Sequence, residues 1–462
     1  MSPAQATAHI WQTAGGDPSA LDAMTLTGKG PGLPSTFHVG VLAQSTIAAS
    51  ALAATDLWKH RTGGSQAVSV GMAHAVAEFR SERYLRVEGL PEARLWDPVA
   101  GVYQTGDGRY VRVHANMPHH RAGTLAMLGA EGSRESVAAK LQDWTGEGLE
   151  TAAAENGLVI TMMRSPEEWR SHPAGRAVAG LPLLELIRIG DAPPRPRPEA
   201  SRPMSGIRVL DLTRVIAGPV CGRTLAAHGA DVLSVTGPGI PDSDVLIMDG
   251  GRGKLRTEIE LREAAGREQL AALARQADVF VQGYRPGAIA AKGFSPEALA
   301  EMAPGIVCVS LSAWGHEGPW ANRRGFDSLV QNTNGLNHAE ATAAGVEGPK
   351  ELPCQALDHG TGMLMAMGAM RALRRQADEG GSWLVRVSLA QTGEWLWNMG
   401  RIENGLSTPD QKREDVLPLM ETCPTPFGTM TAMTHAGRLS ETPAHWVRPS
   451  VALGTHPPRW PA

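Results

Sequence analysis

Asp358 stands in the run Leu352-Pro353-Cys354-Gln355-Ala356-Leu357-Asp358-His359-Gly360, where a Pro-containing loop gives way to a helical pattern. A carboxylate at a helix start has two readings. It can cap the unpaired N–H groups of the first turn, a position that favours Asp. It can also act as a nucleophile on an activated acyl carbon, with N–H groups at the helix start holding the developing oxyanion. Gly360 and Gly362 would let a substrate approach the backbone closely. The turn Val215-Ile216-Ala217-Gly218-Pro219 leads into another helix start, which suits anions and backbone contacts. Lys254, Arg285 and Lys292 are cations that read either as solvated surface charge or as anion contacts.

Other clusters carry less. His119 and His120 are adjacent, so their side chains diverge, and no carboxylate accompanies them at ligand spacing; no metal site is expected. Gly237-x-Gly239 follows the second strand of its unit rather than the first and is not a dinucleotide fingerprint. The four cysteines, Cys221, Cys308, Cys354 and Cys423, form no CxxC pair and read as reduced thiols of a cytoplasmic protein. Trp395 and Trp397 read as core or interface residues.

Positioning these groups requires an α/β scaffold. Ile207–Leu212, Asp231–Val235, Asp244–Met248, Val279–Val281 and Ile306–Leu311 are short apolar runs that read as strands. Gly218–His228, stopped by Gly229, and Leu261–Gln276 have helical periodicity. This alternation predicts a Rossmann-like parallel sheet covered on both faces, with ligands at the carboxyl ends of its strands. Ala192-Pro193-Pro194-Arg195-Pro196-Arg197-Pro198 can continue neither helix nor central strand and reads as a linker. Before it, an Ala-rich helix over 41–56, a Thr105-Gly106-Asp107-Gly108 turn, the alternating strand Tyr110–His114 and a mainly helical 120–190 suggest a smaller α+β unit.

The chain also repeats itself. Gly63-Gly64-Ser65-Gln66-Ala67-Val68-Ser69-Val70 matches Gly380-Gly381-Ser382-Trp383-Leu384-Val385-Arg386-Val387, each after an Ala-rich helix and a Leu-Pro pair. The position that matches Asp358 is Val39 or Val41, so the first copy would hold no nucleophile.

With 462 residues, 42% of them hydrophobic and 19% charged, the chain suits two or three soluble domains. A net charge of -4 points to neither nucleic acid nor an anionic membrane. Neither a signal peptide nor an apolar run of the ~18 residues a membrane helix needs is present in the sequence.

Five ordered segments carry a family resemblance: Gly206–Pro219; Leu225-Ala226-Ala227-His228-Gly229-Ala230-Asp231-Val232; Gly251-Arg252-Gly253-Lys254; Asp278–Gly287; and Ser312–Pro319. Residues 205–400 thereby resemble the family III CoA-transferases, the group of formyl-CoA transferase and carnitine CoA-transferase, whose fold alpha-methylacyl-CoA racemase shares. The first 200 residues resemble the back half of such an enzyme, so the order looks fused or rearranged. The implied division is a degenerate large-domain-like half over 1–94, a small α+β domain over 95–190, a linker over 191–204, the catalytic large domain over 205–400 and a Pro-rich extension over 401–462.

The resemblance implies an enzyme that moves coenzyme A from an acyl-CoA to a carboxylic acid through an aspartyl anhydride and an aspartyl-CoA thioester on Asp358. It implies coenzyme A contacts at Val215, Ile216, Ala217, Lys254, Arg285 and Lys292. CoA would be a substrate rather than a resident cofactor, and the chain an interlocked homodimer with no nucleic-acid or membrane partner. Racemases of this fold need a His where this chain has Arg324-Gly325-Phe326-Asp327, and Phe326 cannot transfer a proton. His359 would point away from Asp358. The alternatives are an acyl-CoA racemase or isomerase, and a degenerate acyl-CoA-binding protein.

Overall fold

The structure, a computed structural model, describes residues 1–92, 94–240 and 242–461. A helix α1 (Val39–Thr62) lies in the first part of the chain. The large sheet takes its strands mostly from the second part: β1 (Glu185–Gly190), β2 (Arg208–Leu212), β3 (Asp231–Thr236), β4 (Lys254–Glu258), β5 (Val279–Gln282), β6 (Val307–Ser312) and β7 (Ser382–Ser388). Their order is β4-β3-β2-β5-β6-β7-β1. All neighbours are parallel except β1, which runs antiparallel to β7 at the edge. This edge strand falls within the segment assigned to the small unit, yet it belongs to the large sheet. The strand order reverses between β2 and β5, and the crevice outside that point is where such sheets hold ligands.

Three helices set the floor of that crevice. They are α2 (Ala217–Ala227), α3 (Asp327–Thr333) and α4 (Ala356–Glu379). α1 and α4 each have 24 residues, each ends at a Gly of positive φ, and they pack against each other in the main core. Gly360 and Gly362 serve this packing rather than substrate approach. A Cβ at 360 would stand 3.2 Å from Leu42 of α1, and one at 362 would stand 2.4 Å from the Ala217 carbonyl of α2.

Asp244–Met248, expected as a strand, is the start of a helix, Asp244–Gly250. The four-residue apolar run Val245–Met248 fits a buried helix turn as well as a strand. Here helix geometry delivers Asp249 to two buried arginines, 2.5 Å from Arg223 and 3.0 Å from Arg252.

The small unit has an antiparallel sheet of Gly101–Gln104, Tyr110–Val113 and Ile160–Met162, with helices Pro118–Leu128, Arg134–Leu141 and Gly146–Glu155 around its own apolar core. It docks on α3: Asn332 Nδ2 donates to the Thr161 carbonyl at 3.0 Å, and the Arg164 N–H to the Asn332 carbonyl at 3.3 Å.

Residues 401–462, expected as an extension, instead weave into the first part of the chain. The hairpin Met420–Thr425/Gly428–Met433 takes Arg86–Val87 as its third strand. Arg438–Leu439 pairs with Val68–Ser69. Trp395 lies in the main core, and the partly buried Trp397 packs edge-on to Phe37 at 4.8 Å.

Candidate active site

Asp358 is the third residue of α4, and its side chain is only 7% exposed. Its backbone N–H donates to Asp327 Oδ2 at 2.8 Å. Asp327 opens α3 and is fully buried. The cap of α4 is therefore a carboxylate from another helix, and no cap bond comes from the Gln355 side chain. This leaves the Asp358 carboxyl to face a cavity of about 290 Å³ at the carboxyl ends of β2, β5 and β6.

Burial, then the neighbouring Asp327 and Glu82, push the Asp358 carboxyl well above its ordinary range. Burial raises Asp327 to about 6, against bonds from the Asp358 and Leu357 N–H groups and Gln331. Like charges so close in a dry site cannot both ionise freely. His359 turns away from the cavity: its Nε2 lies 3.1 Å from Glu82 Oε2, and its ring stacks on Phe79. Glu82 belongs to the first part of the chain, and nothing in its local sequence signals this proximity.

The opposite wall is the turn Val215-Ile216-Ala217 into α2. Val215 has φ +72°, an outlier for a β-branched residue that costs on the order of 1–3 kcal/mol. The first N–H groups of α2, which follow this bend, have no intrahelical partner. Phe326 forms another wall and stacks on His114 of the small unit at 3.9 Å between centroids. His119 and His120, read from sequence only as a rejected metal pair, bring the small unit to the cavity. Among the described residues no group of three or more His, Cys, Asp or Glu could hold a metal.

A model of CoA-transferase family III matches residues 204–442, just over half of the chain. The chain belongs to the family III CoA-transferases. It is 29% identical over 419 residues to the acetyl-coenzyme A transferase nodX of Hypoxylon pulicicidum, covering 79% of this chain and 70% of that protein. It is 30% identical over 350 residues to an acyl-CoA transferase of Gibberella moniliformis, covering 68% and 60%. The formyl-CoA:oxalate CoA-transferase of Escherichia coli is 32% identical over 243 residues, covering 50% and 56%. The chain thus spans between about half and seven-tenths of these relatives' lengths. A crystal structure of the hypothetical protein Rv3272 of Mycobacterium tuberculosis is 29% identical, with 43% of this chain and 59% of that one covered, at a TM-score of 0.40.

Within this family III chain, the expected coenzyme A contacts separate. Val215, Ile216, Ala217 and Arg285 line the inner cavity with Asp358. Lys292 lines an outer cavity of about 540 Å³, with Thr236, Ile240, Ile259, Arg262 and Tyr284. The two cavities share a wall that includes His119, Leu212, Arg214 and Tyr284, so one cleft runs from the outer cavity to Asp358. Lys254 does not reach this cleft. It is 1% exposed, and its Nζ sits 2.7 Å from Asp211 Oδ2 and 3.0 Å from the Pro219 carbonyl. Gly222 makes room for that ion pair, because a Cβ there would stand 2.4 Å from Asp211 Oδ2. Lys254 is therefore a buried support under α2, not a phosphate contact. Its charge was legible in the sequence; its burial was not. Arg214 and Tyr284 lay within the family-like segments and Asp327 within the segment compared with the racemases, but all three were passed over, and Arg262 gave no signal as a site residue.

Proposed function

We propose that this chain exchanges coenzyme A between carboxylic acids, with Asp358 as the group that is transiently acylated. The observation that carries this reading is that Asp358 is the carboxyl on the inner cavity's wall, at one end of a cleft whose other end is a larger cavity holding Arg262 and Lys292. A thioester has the reach to span such a cleft, its anionic end outside and its acyl carbon at Asp358.

The ionised Asp358 carboxylate attacks the thioester carbonyl, and the tetrahedral adduct expels the CoA thiolate to leave a mixed anhydride. The thiolate then attacks the aspartyl carbonyl of that anhydride, releasing the donor acid and leaving an aspartyl-CoA thioester. An incoming carboxylate runs the two steps in reverse and restores Asp358. Asp327 already takes the Asp358 N–H, so the start of α4 is poorly placed to hold the oxyanion. That role falls to the start of α2, beside the strained Val215. Burial, then Asp327 and Glu82, raise the Asp358 carboxyl well above its ordinary range, so these surroundings disfavour the ionised form that attacks. Phe326 stands at the wall where a racemase would need a proton carrier, which favours transfer over racemisation.

Mixing the protein with acyl-CoA, trapping with hydroxylamine or borohydride, and mapping the product by mass spectrometry tests this. Label is expected on Asp358 and absent from Asp358→Asn. Label elsewhere, or transfer that survives in the variant, would discard the mechanism.

A further inference from the structure

A recess of about 180 Å³ opens at the carboxyl ends of β5, β6 and β7, beside the Asp358 cleft. Pro286, Leu311 and Ser312 line both and form the partition between them. Asp358, Asp327 and the Val215–Ala217 turn do not line the recess, and neither do Arg262 and Lys292 of the outer cavity.

Its floor is apolar. Phe280, Cys308 and Leu384 come from the three strands, and Phe294 and Leu299 from the segment between β5 and β6. All five are at most 3% exposed and share an apolar core separate from that of α4. Side chains alternate between the faces of a strand. Val309 and Val385, next to Cys308 and Leu384, pack in the α4 core, so the floor lies on the sheet face away from α4. Packed interiors keep few voids larger than a water molecule. This one compares with cavities of roughly 150 Å³ that take up benzene, so a six-membered ring or a chain of similar size has room.

The more exposed lining is polar and of one charge. Arg386 of β7 stands there with His316, Asn322 and Ser312, and none of the lining residues is Asp or Glu. Arg386 lies 4.0 Å from the Glu185 carboxylate, beyond hydrogen-bond reach, and among the described residues its guanidinium makes no hydrogen bond. Glu185 Oε2 is also 3.4 Å from His316 Nδ1 and accepts no hydrogen bond. The five N–H donors of Arg386 can therefore serve Glu185 and a ligand carboxylate together. An inorganic anion would leave the floor unfilled, and a purely apolar guest would leave Arg386 unused.

We propose that this recess is a second ligand site, which takes a small free carboxylic acid with an apolar body. The body rests on the floor of Phe280, Phe294 and Leu384, and the carboxylate meets Arg386. The acid is held here and not converted, so the proposal stands apart from the transferase reading.

The test follows 4-fluorobenzoate by its fluorine NMR signal on the full chain, with saturating coenzyme A present. One molecule should bind saturably. Arg386→Gln should weaken it by roughly 10- to 100-fold, the worth of charge-assisted hydrogen bonds, and 4-fluorobenzyl alcohol should bind the wild-type chain more weakly by a similar factor. Ala290→Trp, at an exposed lining position where the larger side chain would narrow the mouth without touching the core, should weaken the acid by about 10-fold or more. Equal binding of acid and alcohol, or an unchanged affinity in Arg386→Gln, would overturn the carboxylate assignment. An unchanged affinity in Ala290→Trp would put the acid in the reaction cleft and overturn the site itself, as would the absence of saturable binding.

Discussion

α1 and α4 are the same piece of architecture used twice. Each is a 24-residue helix that ends at a Gly-Gly pair and feeds a strand, Val68–Gly71 after α1 and β7 after α4. Counting from the Gly pairs puts Val41 where α4 has Asp358. The helices diverge in what meets their first turns. Near α1 the approaching loop is pinned by Glu340, whose Oε1 accepts from Ser35 Oγ at 2.7 Å and from the Thr36 N–H at 2.8 Å. At α4 the turn is capped by Asp327 and opens onto the switch point of the seven-stranded, mostly parallel sheet. A helix start thus becomes a candidate site only where the neighbouring elements leave it both a cap and a cavity. One copy keeps these, while the other is packed as core and supports its partner.

The largest effect that would sharpen this contrast is at Asp358. Asp358→Asn should lower transfer by at least about a thousandfold while leaving coenzyme A binding nearly intact. It should also raise the Tm, by roughly 1–3 °C, since an amide removes a buried carboxyl whose ionisation opposes folding at neutral pH. Activity assays, calorimetric CoA titration and thermal melts on one preparation read all three. A lowered Tm would contradict the assigned environment.

The mirror experiment is Val41→Asp. If helix position alone made the site, this variant would gain function. Val41 is instead 8% exposed within the main apolar core. A carboxylate there should cost about 3 kcal/mol or more and add no second labelling site. Denaturant unfolding and mass mapping decide between the outcomes; a stable protein with label at residue 41 would break the comparison.

A smaller loss is expected from Gly362→Ala. The new Cβ would meet the Ala217 carbonyl at 2.4 Å and Val220 at 2.8 Å, so α2 and α4 must separate. Overpacking of this kind costs about 1–3 kcal/mol and would shift the Val215–Ala217 wall away from Asp358. Denaturant midpoints and the labelling rate should fall together, and an unchanged midpoint would show that the helices have slack.

Much of the sheet was legible because its strands are apolar runs separated by helical periods and punctuated by Gly. The same logic failed at Asp244–Met248, where four apolar residues cannot distinguish a strand from a buried helix turn. It failed again after residue 400, since the hairpin at Met420–Met433 is completed by Arg86–Val87, more than 300 positions away, and distant pairing leaves no local mark. The site divides along the same line. Asp358 and the Val215–Ala217 turn were visible as motifs. Asp327 as the cap of α4, Glu82 beside His359 and the burial of Lys254 depend on which elements fold against one another.

The smallest effect concerns how far the first half of the chain reaches into the site. Glu82 is held to His359 at 3.1 Å and is one of the charges that raise the Asp358 carboxyl, after burial and Asp327. A carboxyl raised in the folded state favours folding below its ordinary value of 3.8 and loses that contribution as pH rises through the raised value. Transfer, which needs the carboxylate, should grow over the same window. Glu82→Gln keeps a hydrogen-bonding partner for His359 but removes the charge, so Asp358 should ionise at lower pH. The acid limb of kcat/KM and the stability loss should then both move toward acid, by less than the corresponding shift in Asp327→Asn, because Asp327 is the nearer and larger influence. A pH profile that moves with Asp327→Asn but not with Glu82→Gln would confine the electrostatics of the site to the second half. Movement in both would make the half that lacks a nucleophile a working part of the one that has it.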